Sequence, residues 1–500
     1  MLKWLGPKAD HPMADLREAR KMIGEVPQGD ALKALGELTD WALSVAGTKG
    51  FKGPDRLEIY RLLEDAAQHP QRKLTRDFLT VVGVGPIQES RLAGTVERFW
   101  AAMADAYVAA FGDAAALKGV PEPALASAAA RGMRALTQRM KWHLLRYQPV
   151  DAAIWRGYVE LYRAAEARRL LGKPAEVFPG GAETTPEREL LTGLLLWLSS
   201  PDGLTPPKIE LAERIALTMA PSFRSAKTEG GVVTHYLDLD NPAPPSRVSP
   251  NAREKPNRVF ISAGEAWQAL PRLAEKIRKS GVPDELGGAV TDPEMLHDVI
   301  RHLERQWSPT PPVRQSARHR ADAAIRVVAG LERAIQALQG LEDALGDKVQ
   351  RWQSENISAG GFSARLGKPS AERLNVGTVL ALQPEGAPGW GLGIVRRLVR
   401  SDPAQVGVQT LGLDAQAVPV RVAGGQSTIL RAGWKSETAV LFPVDDAGVV
   451  RVVLKAGLYA PTRSLEADVG ADTLLLMPAG LEERGEEYDL CRFKALERSE

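Results

Sequence analysis

The stretch RWQSENISAGGF, residues 351–362, decides how the second half of this chain reads. It places a Trp, an Asn, a Ser and two adjacent glycines at the boundary between a helical-looking region and a run of strand-like segments. In a strand ending at a turn, positions two apart point to the same face. Asn356 and Ser358 are therefore expected side by side. The amide offers an acceptor and a donor, and the hydroxyl offers both. The glycines permit a tight turn and close backbone approach. The plain reading is a hairpin corner stabilised by Asx or Ser hydrogen bonds.

Upstream, RQSARHR at 314–320 sets Arg314, Arg318 and Arg320 within seven residues. It follows SPTPP, so it reads as a loop entering a strand. A guanidinium is planar, always charged and fork-shaped. It can pair with a phosphate or clamp the O6 and N7 edge of a guanine. Taken alone, the segment reads as a solvated basic linker, because exposed arginines are common.

Around these clusters the texture divides the chain. Residues 1–224 read as an all-α helical domain. In GDALKALGELTDWALSV, residues Leu32, Leu35, Leu38, Trp41 and Val45 recur at helical steps, with Asp30 as the expected N-cap. The same period carries Leu92, Val96, Phe99, Met103, Tyr107 and Phe111, ending at Gly112. It recurs through Ile154, Tyr158, Leu161 and Ala164. Residues 225–311 read as a short mixed α/β connecting region, with a polar, Pro-rich loop and two helices. From 312 onward, short strand-like runs separated by Gly, Pro and Asp suggest two small barrels, 312–428 and 429–500. LERAIQALQGLEDALGDKVQRW breaks that pattern and is expected as a helical insertion, 331–350, weakened by about 1 kcal/mol at Gly340. The expected fold is thus α+β and multidomain.

The composition limits the chemistry. A net charge of +2, from 64 basic and 62 acidic side chains, gives no global case for nucleic acid or a membrane surface. A single cysteine, Cys491, excludes a disulfide framework and any zinc site needing several thiolates. His297 and His302 are five apart, not the spacing of a helical metal pair. The most apolar run, LLTGLLLWL at 190–198, is shorter than the roughly 20 residues that span a bilayer. No metal, cofactor, nucleic acid or membrane insertion is expected, and a cytoplasmic location is. VGVGPIQ at 82–88 lacks the glycine register of a dinucleotide fingerprint. Asp238 and Asp240 in HYLDLD read as an exposed strand face rather than a catalytic pair. No Ser/His/Asp grouping, P-loop or metal cluster supports an enzyme.

Taken together, RxxxR followed at a distance by a strand ending in [D/N]xSxxG resembles the PilZ domain over about residues 312–425, and VGTVLALQ, WGLGIVRRLVR and QVGVQTLG look like its closing strands. That family is a six-stranded β-barrel which commonly binds cyclic di-GMP in bacterial signalling. The resemblance implies that Arg314 and Arg318 wrap guanine and phosphate. It implies that Asn356 and Ser358 contact the nucleotide from the barrel surface, while Gly361 keeps the corner open. The family's commoner acidic residue is Asn356 here, and a neutral amide accepts more weakly than a carboxylate. Val313 stands where many relatives carry another basic residue, for which Arg320 can substitute. The resulting expectation is a non-enzymatic cyclic di-GMP receptor whose helical half binds a protein partner. The alternative is a PilZ-like interaction scaffold that binds no nucleotide.

Overall fold

In the computed structural model the described residues are 9–27, 29–83, 85–114, 117–227, 233–248, 257–262, 266–288, 291–310, 319–367, 374–423 and 436–497. The chain forms two compact units, Met1–Val313 and Arg314–Glu500.

The first unit begins with eight α-helices: α1 (Leu16–Gly24), α2 (Ala31–Gly47), α3 (Gly53–Val81), α4 (Pro86–Gly112), α5 (Glu122–Leu145), α6 (Ala152–Ala167), α7 (Pro186–Leu198) and α8 (Pro206–Met219). Their starts follow local chemistry. The Asp30 carboxylate accepts from the Lys33 N–H at the head of α2, satisfying one of the amides a helix leaves unpaired. Leu35, Leu38 and Val45 then bury one face of α2, and Val96, Phe99, Met103 and Tyr107 do so on α4.

Helix α5 carries cations into this core. Arg131 reaches Glu64 and Asp65 of α3, Arg134 grips Glu189 of α7, and Lys141 meets Glu210 and Glu213 of α8. Burial pushes the Glu64 carboxyl upward, while the Arg131 guanidinium and the Tyr107 hydroxyl pull it back. Such a pair contributes little net stability intact, but losing one partner leaves a buried charge that costs about 3–5 kcal/mol.

The segment expected as a connecting region joins this same core. A small antiparallel sheet, in order β1-β4-β2-β3, is built from β1 (Arg224–Ala226), β2 (Val233–Asp238), β3 (Ser246–Arg247) and β4 (Arg258–Ser262). Helices α9 (Ala266–Ser280) and α10 (Pro293–Trp307) follow. Leu237, Ile261, Leu296 and Trp307 are buried within one apolar cluster with the helical residues. The Trp307 indole N–H donates to the Leu195 carbonyl of α7 at 3.2 Å. The apolar run 190–198 is the buried helix α7, and no helix among the described residues is long and apolar enough to cross a membrane.

The second unit holds two barrels. The first contains β5 (His319–Arg320), β6 (Ala324–Ala329), β7 (Gln350–Ser358), β8 (Gly361–Leu366), β9 (Val379–Pro384), β10 (Gly391–Val399) and β11 (Ala404–Gly412). The sheet order is β5-β7-β6-β9-β10-β11-β8, and a further β7–β8 pairing closes the ring. Strands β5 and β6 share one edge of β7, opposite residues 356–357 and 350–353 respectively, so they act as one interrupted strand of a six-stranded barrel.

Helix α11 (Leu331–Leu338) is shorter than the expected insertion. Gly340 adopts φ +75°, a left-handed conformation that ends a helix, and residues 342–348 form two single 3₁₀ turns.

The second barrel is closed, in order β12-β13-β14-β17-β16-β15, from β12 (Gln416–Val422), β13 (Glu437–Leu441), β14 (Val449–Lys455), β15 (Leu465–Val469), β16 (Asp472–Arg484) and β17 (Tyr488–Glu497). Residues 416–422, expected in the first barrel, pair with β13 and β15 instead. The reason is burial: Val418 and Val420 join Leu441, Leu454, Leu465 and Phe493 in the second barrel's interior. The two barrels meet across a further apolar layer in which Val328, Ala381 and Ile394 pack with Val440, Phe442 and Tyr488, alongside Leu331 and Ala334 of α11.

Candidate functional site on the first barrel

Strand β7 begins with its large side chain inward: Trp352 is buried in the barrel, and Ser354 follows on the same side. Strict alternation would carry Asn356 inward as well. A bulge prevents this. Ser354 pairs with Ala364 and Asn356 pairs with Ser363, so Glu355 is the extra residue. Beyond the bulge, Ile357 lies opposite buried Phe362, while Asn356 and Ser358 lie opposite Ser363 and Gly361 on the outer face. Glu355 pairs with Arg365 of β8, which occupies the carboxylate at the bulge.

The buried Ser354 hydroxyl then sets the neighbouring strand. It donates to the Ala321 carbonyl at 2.7 Å and accepts from the Ala323 N–H at 3.1 Å. The Gln353 amide donates to Asp322 in the same turn. These bonds hold the connection between β5 and β6 against β7, and Arg320 comes to rest directly opposite Asn356.

Across the barrel the register continues the row. Asn356 faces Ser363, Ser363 faces Gly407 of β11, and Gly407 faces Arg397 of β10. Four strand steps of about 4.8 Å span roughly 19 Å along the sheet. The row has an exposed arginine at each end and small residues between. The Arg397 side chain lies over Gly407, since a Cβ there would meet Arg397 Cβ at 3.3 Å. Such a surface can receive a planar group on its floor and anionic groups at its rims.

The corner itself is a Ser-closed hairpin: Ser358 Oγ donates to the Gly361 carbonyl at 3.1 Å. Gly361 has φ +148°, and a Cβ would stand 2.0 Å from the Val408 carbonyl. Its glycine identity thus follows from the close approach of β8 and β11. Asn356 is half-exposed and makes no side-chain hydrogen bond among the described residues.

Of the six residues singled out in the sequence, Arg320, Asn356, Ser358 and Gly361 converge on this face. Arg314 and Arg318, like Val313, lie outside the described residues. Ser354 is not legible as a contributor in the sequence, because nothing local indicates which carbonyl its hydroxyl will meet. Arg397 and Gly407 likewise reach the row only through strand register.

Other candidates resolve structurally. Asp238 accepts from the N–H groups of Asp240 and Asn241 at the end of β2, while Asp240 pairs with Arg163. In the helical unit, a cleft of about 460 Å³ is lined by Arg61, Ser127, Arg131 and Glu176. Its two arginines already pair with Glu58, Asp65 and Glu64. Burial pushes the Cys491 thiol up to about 12. Among the described residues, no group of three or more His, Cys, Asp or Glu could hold a metal ion.

Residues 17–227, which run from α1 through β1, match the family model described as the N-terminal domain of the cyclic-di-GMP receptor FimW. No curated protein and no solved structure matches the chain.

Proposed function

We propose that the protein is a cyclic di-GMP receptor that seats the nucleotide on the outer face of the first barrel. Arg314 and Arg318 wrap guanine and phosphate, and Arg320 adds charge at the rim. Asn356 and Ser358 contact the nucleotide from β7, and the hairpin at Gly361 holds them in place. The observation that carries this reading is the register of Arg320 against Asn356, which delivers the end of the arginine segment to the Asn–Ser hairpin. The match of the helical region to a domain of a cyclic-di-GMP receptor supports the same ligand. The role is a receptor's rather than an enzyme's, exercised in the cytoplasm, and the helical unit is where a protein partner is engaged. A ligand drives such an output only if it binds one arrangement of the protein better than another.

The neutral amide at Asn356 favours one alternative, a PilZ-like scaffold that binds proteins and no nucleotide. Titration calorimetry of the whole chain with cyclic di-GMP separates the two. The receptor reading expects micromolar or tighter binding, equivalent to about 8 kcal/mol. No heat and no thermal shift, alongside a co-purifying protein, would establish the scaffold.

A further inference from the structure

The exposed row borders the layer between the two barrels, and one side chain lies on that border. Gln409 of β11 stands opposite Gly361 on one side and Ile394 on the other. Gly361 in turn faces Ser358, so Gln409 is the outward residue nearest the Ser358 corner on β11. Ile394 belongs to the apolar layer shared with the second barrel.

The Gln409 amide is oriented by a chain of hydrogen bonds that ends in the second barrel. Arg396 Nε donates to Gln409 Oε1 at 2.7 Å. Arginine has no acceptor, so this bond fixes the carbonyl end of the amide toward Arg396. The Nε2 end, with two N–H donors, has no partner among the described residues. Arg396 is itself held by a fork: its two terminal nitrogens donate to Glu483 Oε1 at 2.5 Å and Oε2 at 2.6 Å. Glu483 belongs to β16 and also accepts from the Tyr488 hydroxyl of β17 at 2.6 Å. Burial and the adjacent Glu483 carboxylate push that hydroxyl upward, so it stays protonated and donating.

We infer that Gln409 is a further nucleotide contact, and that the C-terminal barrel positions it through Glu483 and Arg396. This rests on the nucleotide site proposed above. Two N–H donors beside the Ser358 corner suit the acceptor-rich parts of cyclic di-GMP, the phosphate oxygens and the O6 and N7 edge of guanine. Glu483 and Arg396 are positioning residues, acting through the orientation of the amide. The second barrel is then part of the binding site's support, so a rearrangement there alters nucleotide affinity.

The test is calorimetry of the full chain with cyclic di-GMP on Gln409→Leu, Glu483→Gln and the double variant, with thermal midpoints measured in parallel. Gln409 is half-exposed, so its replacement should lower the midpoint only slightly, through the lost acceptor for Arg396, while weakening binding about tenfold. Glu483→Gln should weaken binding severalfold in the parent and not further in the Gln409→Leu background, because its effect passes through that amide. Parent-like affinity in Gln409→Leu, or an undiminished Glu483→Gln effect in the double variant, overturns the inference. If the parent binds, Arg314→Ala weakens it and Gln409→Leu does not, this inference falls alone. If the parent does not bind, both readings fall.

Discussion

Arg320 lies directly opposite Asn356 across the β5–β7 pair, and the buried hydroxyl of Ser354 holds that pairing in place. The strand carrying the arginine is two residues long, too short to fix itself by ladder bonds alone. Its position depends on the turn that Ser354 closes.

Ser354→Ala removes a donor from the Ala321 carbonyl and an acceptor from the Ala323 N–H. The cost should be about 1–3 kcal/mol, read as a lower denaturation midpoint. Cyclic di-GMP affinity should fall with it, although Ser354 is buried inside the barrel and cannot touch a ligand on the outer face. Unchanged affinity in a folded Ser354→Ala protein would separate the β5 register from binding.

Gly361→Ala should destabilise the second unit by about 2 kcal/mol or more. The backbone lies in a region reserved for glycine, and the added Cβ would run into the Val408 carbonyl. Thermal unfolding followed by circular dichroism measures this. At Gly360 a Cβ would meet nothing within 4 Å and the backbone φ is not positive, so alanine should be accepted there at little cost.

His235 gives the first unit a pH dependence. It is buried in β2, and burial, with Arg247 nearby, lowers it from 6.5 to about 4. Between those values the folded state binds fewer protons than the unfolded state. Stability from this residue is therefore complete above pH 6.5 and is lost as pH falls toward 4, by up to about 3 kcal/mol. His11, His143 and His302 are lowered in the same direction, so the wild-type slope is shared. Comparison with His235→Leu isolates the contribution: the variant's stability should vary less over that window. Equal slopes would contradict the assignment.

Much of the architecture can be read from periodicity. The buried stripe of α4 is visible in its spacing from Leu92 to Phe111, and a helix reports its own face. A strand does not report its partner. Residues 416–422 carry an alternating pattern that fits either barrel, and only the pairing with β13 and β15 decides between them. The helical insertion stops early because Gly340, by propensity only a weak point, takes the conformation that ends a helix. At the site, spacing places Asn356 and Ser358 on one face. That this is the outer face depends on the bulge at Glu355, for which the local sequence carries no signal. Ser354, Gly407, Arg397 and Gln409 become visible only once the register is known, since each acts through a residue distant in sequence.

The most direct test is titration calorimetry of cyclic di-GMP against the wild-type chain, Arg314→Ala, Arg318→Ala and Asn356→Ala. A bidentate arginine–guanine contact is worth about 1–3 kcal/mol, so each arginine variant should bind about tenfold or more weakly while remaining folded. Asn356→Ala should weaken binding in the same direction. Tight binding by the wild type, unchanged in both arginine variants, would contradict the proposed site; no binding by the wild type would contradict the receptor reading itself.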